Sequence, residues 1–429
     1  MPLKIITIEP KLARLCLIVA ALLCLVTAWF FVKWNFANMV ASRLDIERPE
    51  SKIVAGDLIG MAPSDPQTHY TAAVLFEKTF DAADLTRSLT EYETATALSP
   101  NNYLMWLNLG RVRNLNGDTD GADAAYSYAM VLAPNYAYVQ WLYGNFMIRQ
   151  GKTNEGFALI AKAAASNPEY SQSAVQTALQ IFDQDVEQVR HALGDGDQTN
   201  SALAVALAGQ KHFDQAIDAW SKLGVADRNA KFKKLGETLV GQLAEAKKYQ
   251  LAARVAGDLL NADEEKPVVG QIANGGFENG VKLRNAGLFE WQIVEGGQPQ
   301  IGLSEDQKRS GKYSLFLAFN SLETAAFRTV SETVAVVPEA EYEFEVYYKS
   351  DVKTAAKLKW EIADAATATT IASTPPMTAV GDWISLKTTF KVPAGNDGVI
   401  IRFVREGCIG PACPTNGKVL FDDISIKRL

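Results

Sequence analysis

NNYLMWLNLGRVRNLNGDTDGADAAYSYAMVLAP, residues 101–134, decides the architecture of the longer half of this chain. The proline that closes it stands 34 residues from its equivalents, Pro100 before and Pro168 after. Leu109, Gly110, Ala122, Tyr126 and Ala129 fall at phases that Tyr143, Gly144, Gly156, Ile160 and Ala163 repeat in the next unit. Leu75, Ser88, Tyr92 and Ala95 hold the same phases in the unit before. A fixed period of this length predicts a stack of equivalent supersecondary units. No unit buries its own apolar face alone, so neighbours must cover it and atypical units must cap the ends.

Outward from this stretch, three regular units cover about 69–170, with turns at Ser99-Pro100-Asn101-Asn102, Gly117-Asp118 and Gly151-Lys152. Ser201 to Leu223 reads as a degenerate unit, and residues 231–260 as a closing helical pair. Past an acidic, Pro- and Gly-containing stretch the period becomes two. EYEFEVYY (341–348) sets Tyr342, Phe344, Val346 and Tyr348 against Glu341, Glu343 and Glu345. Further strands are read at 313–319, 357–362, 383–392, 398–405 and 418–427, a pattern that predicts an antiparallel sandwich or jelly roll. The expected fold class is α+β multidomain. Its segments are a cytoplasmic tip with a transmembrane anchor (1–34), a linker (35–67), a helical repeat domain (68–260), a second linker (261–273) and a β-sandwich (274–429).

The anchor is LCLIVAALLCLVTAWFFV (15–32), an uncharged run of 18 residues. As a helix it spans roughly 27 Å, close to the hydrocarbon core of a bilayer. Lys4, Lys11 and Arg14 precede it while Lys33 alone follows directly, which predicts a cytoplasmic N-terminus and a translocated bulk. A cleaved signal peptide is the weaker reading, because the apolar run is long and Met39-Val40-Ala41 is a poor cleavage site. A net charge of −7 without a basic cluster excludes nucleic acid as a main partner. Cys16 and Cys24 lie in the apolar run. Cys408 and Cys413 lie in CIGPAC, where a disulfide is expected over zinc, since no further Cys pair or nearby His completes a metal site.

Two family resemblances follow. The repeated residues of the 34-residue unit resemble the tetratricopeptide repeat, a pair of antiparallel helices, and that resemblance implies a binding scaffold. The inward helix of such a repeat supplies the contacts, which assigns Arg111, Arg113, Asn114, Tyr143 and Arg149 to a groove for protein partners. The second resemblance rests on Asn274-Gly275-Gly276-Phe277-Glu278, Trp291, Ser310-Gly311-Lys312-Tyr313-Ser314-Leu315 and Phe421-Asp422-Asp423-Ile424-Ser425-Ile426. In that order these landmarks resemble the carbohydrate-binding-module jelly rolls that accompany glycoside hydrolases. Sugars stack on aromatic rings, and Trp291, Trp360, Trp383, Tyr347 and Phe316 are available, with Tyr347 and Trp291 as the stacking candidates. Asp422 shares a strand face with Leu420, Ile424 and Ile426, where a lone carboxylate needs a cation or strong donors. With Glu278 it forms a candidate structural Ca²⁺ site, which the resembling modules often hold. The alternative is a turn cap, or pairing with Lys427 or Arg428.

Catalysis finds no constellation. His69, His191 and His212 are the three histidines, read as surface or turn residues, and neither a G-x-S-x-G elbow nor a phosphate-cradling loop occurs. The acidic pairs alternate outward on strands. No enzyme and no catalytic cofactor is expected. The arrangement resembles anchored repeat proteins of bacteria, which implies a single-pass inner-membrane protein with a periplasmic bulk. The expected function is a scaffold binding protein partners through its groove, in the assembly or export of envelope polysaccharide. The alternative is a glycan-binding module on a helical stalk, and an envelope glycoside hydrolase is the weakest reading.

Overall fold

The structure is a computed structural model that describes residues 10–48, 50–79, 81–261, 264–323, 327–407 and 412–429. Its helices are α1(Pro10–Arg43), α2(Ser51–Met61), α3(Pro66–Glu77), α4(Ala82–Leu98), α5(Tyr103–Leu115), α6(Thr119–Leu132), α7(Ala137–Arg149), α8(Thr153–Ser166), α9(Tyr170–Ile181), α10(Val186–Leu193), α11(Asp197–Gly209), α12(Phe213–Ser221), α13(Val225–Arg228), α14(Lys233–Glu245) and α15(Tyr249–Asp258). Eleven strands follow: β1(Gln292–Ile293), β2(Gln300–Ser304), β3(Ser314–Glu323), β4(Val330–Ala335), β5(Glu341–Ser350), β6(Lys353–Thr354), β7(Lys357–Asp364), β8(Thr370–Ser373), β9(Val380–Lys391), β10(Gly398–Glu406) and β11(Ala412–Arg428). The chain divides into two compact units, Met1–Ala174 with Asp185–Leu193, and Val175–Gln184 with Gly194–Leu429.

In the first unit, α1 is long and apolar enough to cross a membrane and is exposed through its apolar part. It does not end with that part. Residues 35–67, read from sequence as a connector, are the end of α1, all of α2 and the start of α3. The cause is small residues at helical spacing: Ala37 and Ala41 are buried against Leu58 and Ala62. The Asn38 amide donates to Asp65 Oδ1 (2.9 Å), and the Thr71 hydroxyl donates to the Ala41 carbonyl (3.2 Å). These bonds fix α1 to the start of α3.

Helices α3 to α8 pair as three hairpins, and short polar side chains cap them. Asp81, Asn102 and Asp118 accept backbone N–H groups at the starts of α4, α5 and α6. The repeated small residues stand where backbones meet. A Cβ on Gly144 would lie 2.8 Å from the Gly156 carbonyl oxygen, and one on Gly110 would lie 3.0 Å from the Tyr126 ring. Tyr126 then packs on Tyr143 and Phe146, with centroids 5.8 and 5.1 Å away. His69 is buried rather than at a surface turn. Its Nδ1 lies 2.5 Å from Glu91 and its Nε2 lies 3.0 Å from the Pro63 carbonyl. Both neighbours are acceptors, which only the doubly protonated ring satisfies. The Glu91 bond accordingly holds the His69 pKa above its ordinary value, against burial.

In the second unit, helices α11 to α15 lead into the sandwich. Asp258 accepts from Trp220 Nε1 and from Arg228, both at 3.0 Å. Helix α15 meets the sandwich directly. Asp397 accepts the N–H of Tyr249 (2.7 Å) and of Gln250 (3.2 Å), so a sandwich loop caps a helix. Tyr249 Oη donates to the Ala365 carbonyl (2.8 Å) and Gln250 Nε2 to that of Val336 (2.9 Å). A Cβ on Gly398 would fall 2.3 Å from the Tyr249 ring, so only glycine fits there. The stretch 261–273, expected as a linker between two bodies, therefore lies inside one compact unit.

The sandwich consists of a five-stranded sheet, ordered β1-β4-β10-β7-β8, and a six-stranded one, β2-β3-β11-β5-β9 with β6 on β11. All these pairings are antiparallel. Trp360 sits at the centre, its ring 5.1 Å from Phe421, 5.4 Å from Phe403 and 5.9 Å from Trp291. The alternation in β5 buries Tyr342, Phe344, Val346 and Tyr348, as the period of two requires.

Adding Cβ atoms at the helix contacts should cost stability, and adding one in open space should not. Gly144→Ala and Gly110→Leu are each expected to lower unfolding free energy by about 1–3 kcal/mol. Gly241→Ala, on an α14 face with nothing within 4 Å, is expected to raise it by about 0.5–1 kcal/mol. Denaturant midpoints check this, and equal midpoints for Gly144→Ala and wild type would contradict the close approach.

Candidate functional site

The core-facing residues of each strand determine by alternation which residues point outward. On the six-stranded sheet, Gly302, Phe316, Leu420 and Lys349 stand opposite one another across β2, β3, β11 and β5. Two residues along β5 from Lys349, Tyr347 stands between Asp422 and Ser385, and Trp383 lies two residues from Ser385 on β9, where the β5–β9 register shifts. Phe316 and Tyr347 thus share the outer face, and Trp383 stands at its edge on β9. Phe316 and Trp383 are half-exposed and separated by three interstrand steps, about 14 Å. The Tyr347 ring is covered on one side by the Arg309 guanidinium, 3.5 Å from its centre, and Arg309 is ion-paired with Asp423. Trp291 corrects the sequence reading. It is 2% exposed, packs on Phe277 and Trp360, and donates Nε1 to the Asn274 carbonyl, so it offers no free ring face.

The outer face of the five-stranded sheet is charged. Glu361 accepts from Arg402 Nε (3.1 Å) and Nη2 (3.0 Å) and pairs with Lys359 (3.2 Å), which also reaches Glu406 (2.8 Å). Burial pulls the Glu361 pKa up, and these cations outweigh it, leaving the carboxyl below its usual value.

Glu278 and Asp422 converge on one loop. Asp422 accepts the N–H groups of Arg309 (2.8 Å), Ser310 (3.2 Å) and Asp423 (2.8 Å), and Glu278 accepts those of Lys312 (2.8 Å) and Tyr313 (3.3 Å). The expected face-sharing of Asp422 with Ile424 and Ile426 does not hold. A bulge between Asp422 and Ser425, with Asp423 at φ 47°, reverses the alternation and turns Asp422 away from the core. Neither Lys427 nor Arg428 is its partner. Burial raises the Asp422 pKa, and the backbone N–H groups oppose that. A Cβ on Gly276 would lie 3.9 Å from oxygens of both Asp422 and Asp423 and 3.8 Å from Glu278 Cγ, while the Glu278 carboxylate itself faces Gly311 and Lys312. Among the described residues no group of three or more acidic, Cys or His side chains has metal-binding geometry. Cys413 is buried, and Cys408, the other half of the expected disulfide, lies outside the described residues.

The groove candidates are mostly engaged within the fold. Arg111 pairs with Glu77 and donates to Asn108 (2.8 Å). Arg113 donates to Glu93 (2.9 Å) and to the Gly121 carbonyl (3.2 Å). Tyr143 is buried and donates to Asp123 (2.9 Å). Asn114 is half-buried, and Arg149 is exposed. Sequence reasoning missed the network that joins them: Asn108 donates to Tyr70 (3.2 Å) and Tyr92 to Glu77 (3.2 Å), linking α3, α4 and α5. Its signal was present, because Glu77 and Arg111 stand one 34-residue period apart.

Residues 269–408 match the family model of a carbohydrate binding domain, CBM_4_9, which is less than half of the chain. No curated protein matches. Among solved structures, one titled "CBM4 structure and function" is 16% identical, with 37% of this chain and 99% of that chain covered and a TM-score of 0.28. A TmCBM61 bound to beta-1,4-galactotriose is 14% identical over 36% of this chain and 96% of its own, with a TM-score of 0.27. MamA from Desulfovibrio magneticus RS-1 is 17% identical over 38% of this chain and 93% of its own, with a TM-score of 0.31. At these values the structures bear on neither activity nor partner.

Glu332 was also missed, though it stands in phase with core residues Val330 and Val334. It is 2% exposed; Oε1 accepts from the Ala273 N–H (2.8 Å), and Oε2 has no partner among the described residues. Burial pushes its pKa well above the ordinary value. The folded state thus keeps a proton that the unfolded chain releases, so stability should fall as pH rises above the ordinary Glu value. Glu332→Gln is expected to outlast wild type in denaturant at pH near 8 and to match it near pH 4. A parallel pH dependence in both proteins would contradict a buried neutral carboxyl.

Proposed function

We propose that the carboxyl-terminal sandwich binds a glycan on the outer face of its six-stranded sheet and that α1 holds the chain in a membrane. The observation that carries this is the carbohydrate binding domain match over residues 269–408, on a sandwich whose outer face carries Phe316, with Trp383 half-exposed on the edge strand β9. The opposite face is a salt-bridge network without rings, which suits a saccharide less. Helices α3 to α8 are tetratricopeptide-like in this proposal and serve as a scaffold for protein partners in envelope polysaccharide assembly or export. The 34-residue period and the antiparallel hairpins support that role. The anchor is single-pass, in a bacterial inner membrane with the bulk periplasmic, and the flanking charges support that orientation. The Cys408–Cys413 disulfide belongs to the same proposal, suited to an oxidising compartment.

A structural calcium completes it. Glu278 and Asp422 would supply carboxylate oxygens, and the ion would tie the first segment of the domain to its last strand. The convergence of Glu278 and Asp422 on the 309–313 loop supports this.

Affinity electrophoresis of the detergent-solubilised full chain through gels containing neutral or acidic polysaccharides tests the glycan. Wild type is expected to be retarded by at least one. Phe316→Ala and Trp383→Ala should each weaken retention about tenfold, the loss of roughly 1.4 kcal/mol of stacking. Retention unchanged in both variants, or lost with Arg402→Ala alone, would move the site off this face.

For calcium, the domain should melt higher in calcium than in chelator. At a hundredfold excess over the dissociation constant the gain is about 2.7 kcal/mol. Asp422→Ala should erase the difference, whereas identical melting of wild type in both would leave the backbone N–H groups as the sole partners of these carboxylates.

A further inference from the structure

The two ends of the helical hairpins differ in chemistry. At one end lie the turns within hairpins, lined by Asp81, Asn116-Gly117-Asp118 and Gln150-Gly151-Lys152, with Leu115 the exposed large apolar side chain beside them among the described residues. At the other end, where each hairpin passes to the next, Leu98, Tyr128, Val131 and Tyr136 are exposed, Val131 by 72% and Tyr136 by 56%. Tyrosine with aliphatic neighbours is the composition that membrane interfaces favour.

Contacts fix the 62–66 turn, at this second end, relative to α1. Ala37 packs with Ala62, and Asn38 bonds Asp65, so the 62–66 turn that starts the first hairpin is level with these α1 residues. Ala37 is five residues past Val32, the end of the apolar run, which is roughly 7 Å along a helix. The polar layer of a bilayer leaflet is about 5–7 Å deep. The turn thus stands at headgroup level if the apolar run fills the hydrocarbon. Its exposed residues are Pro63 and Ser64, while its single carboxylate, Asp65, is buried and bonded to Asn38 and Thr68. No negative charge from this turn faces the anionic phosphates. His69 pins the turn from behind through the Pro63 carbonyl.

We propose that this end of the hairpins rests on the phospholipid headgroups of the leaflet from which α1 emerges, so that the helical repeats stand on the membrane rather than hang from a flexible tether. The inference rests on α1 as a membrane anchor. It adds a lipid-contacting surface made by the 62–66 turn, Leu98 and Val131. Continuity of α1 from the apolar run into the packed helices argues for lipid as the occupant.

The full chain in nanodiscs of phosphatidylethanolamine and phosphatidylglycerol tests this. A spin label is attached to a non-native keto residue placed at Leu22, Ser64, Leu98, Val131 or Gly117, which leaves the native cysteines in place. Power saturation with oxygen and with a water-soluble nickel chelate reads the depth of each label. Labels at Ser64 and Leu98 are expected to show several-fold fewer nickel collisions than the label at Gly117, with Val131 between them. Equal nickel access at Ser64, Leu98 and Gly117, with Leu22 buried in lipid, would overturn the surface and leave the anchor standing. An aqueous Leu22 would overturn the anchor, and this surface with it. Protection of Ser64 and Leu98 that persists in detergent and depends on protein concentration would assign the surface to a second copy of the chain and overturn the lipid contact.

Discussion

A carboxylate from one kind of structure completing another kind is the interaction on which the carboxyl-terminal unit depends. Asp397, in the loop before β10, accepts the first two N–H groups of α15, which no intrahelical carbonyl can reach. An anion at a helix N-terminus is favoured both by those orphan donors and by the helix dipole. The adjoining residue must then be glycine, since the Tyr249 ring occupies the space of any side chain at Gly398. Tyr249 and Gln250 use their side chains to bond two further sandwich carbonyls, at Ala365 and Val336. The α14–α15 helical pair and the β-sandwich are thereby one compact unit.

What was legible in the sequence was periodic. The 34-residue recurrence placed the helical hairpins because each phase has a packing cause, as at Gly144 against Gly156. The alternation of EYEFEVYY placed β5 because one face of a sandwich strand is buried throughout. Single residues were less legible, for physical reasons that differ. Trp291 has the ring a sugar wants, but an aromatic next to a two-residue strand is drawn into the core. Asp422 was placed on the wrong face because a bulge adds one residue to a strand and inverts everything after it, and no spacing rule announces that. His69 gave no pattern signal, since its partners, Glu91 and the Pro63 carbonyl, come from a helix and a turn that only folding brings together.

The same contrast applies to the connector 35–67. Its prolines and polar residues suggest an extended tether, yet Ala37, Ala41 and Ala62 allow α1 and α2 to approach closely enough to form a packed pair. Charge behaves alike in both units. Buried or half-buried carboxylates at Asp65, Glu77, Glu361 and Asp422 are each answered by a cation or by backbone donors, as burial requires. Glu332 has a backbone donor on Oε1 alone, and burial pushes its pKa well above the ordinary value.

Helices α14 and α15 and the sandwich should move as one body. Backbone ¹⁵N relaxation on the detergent-solubilised full chain measures it most directly. Amides of α15 and of β5, β7 and β10 should report one overall correlation time, and Gly398→Leu should split it. Two correlation times in the wild-type protein, with the α15 amides tumbling apart from the strands, would contradict the account.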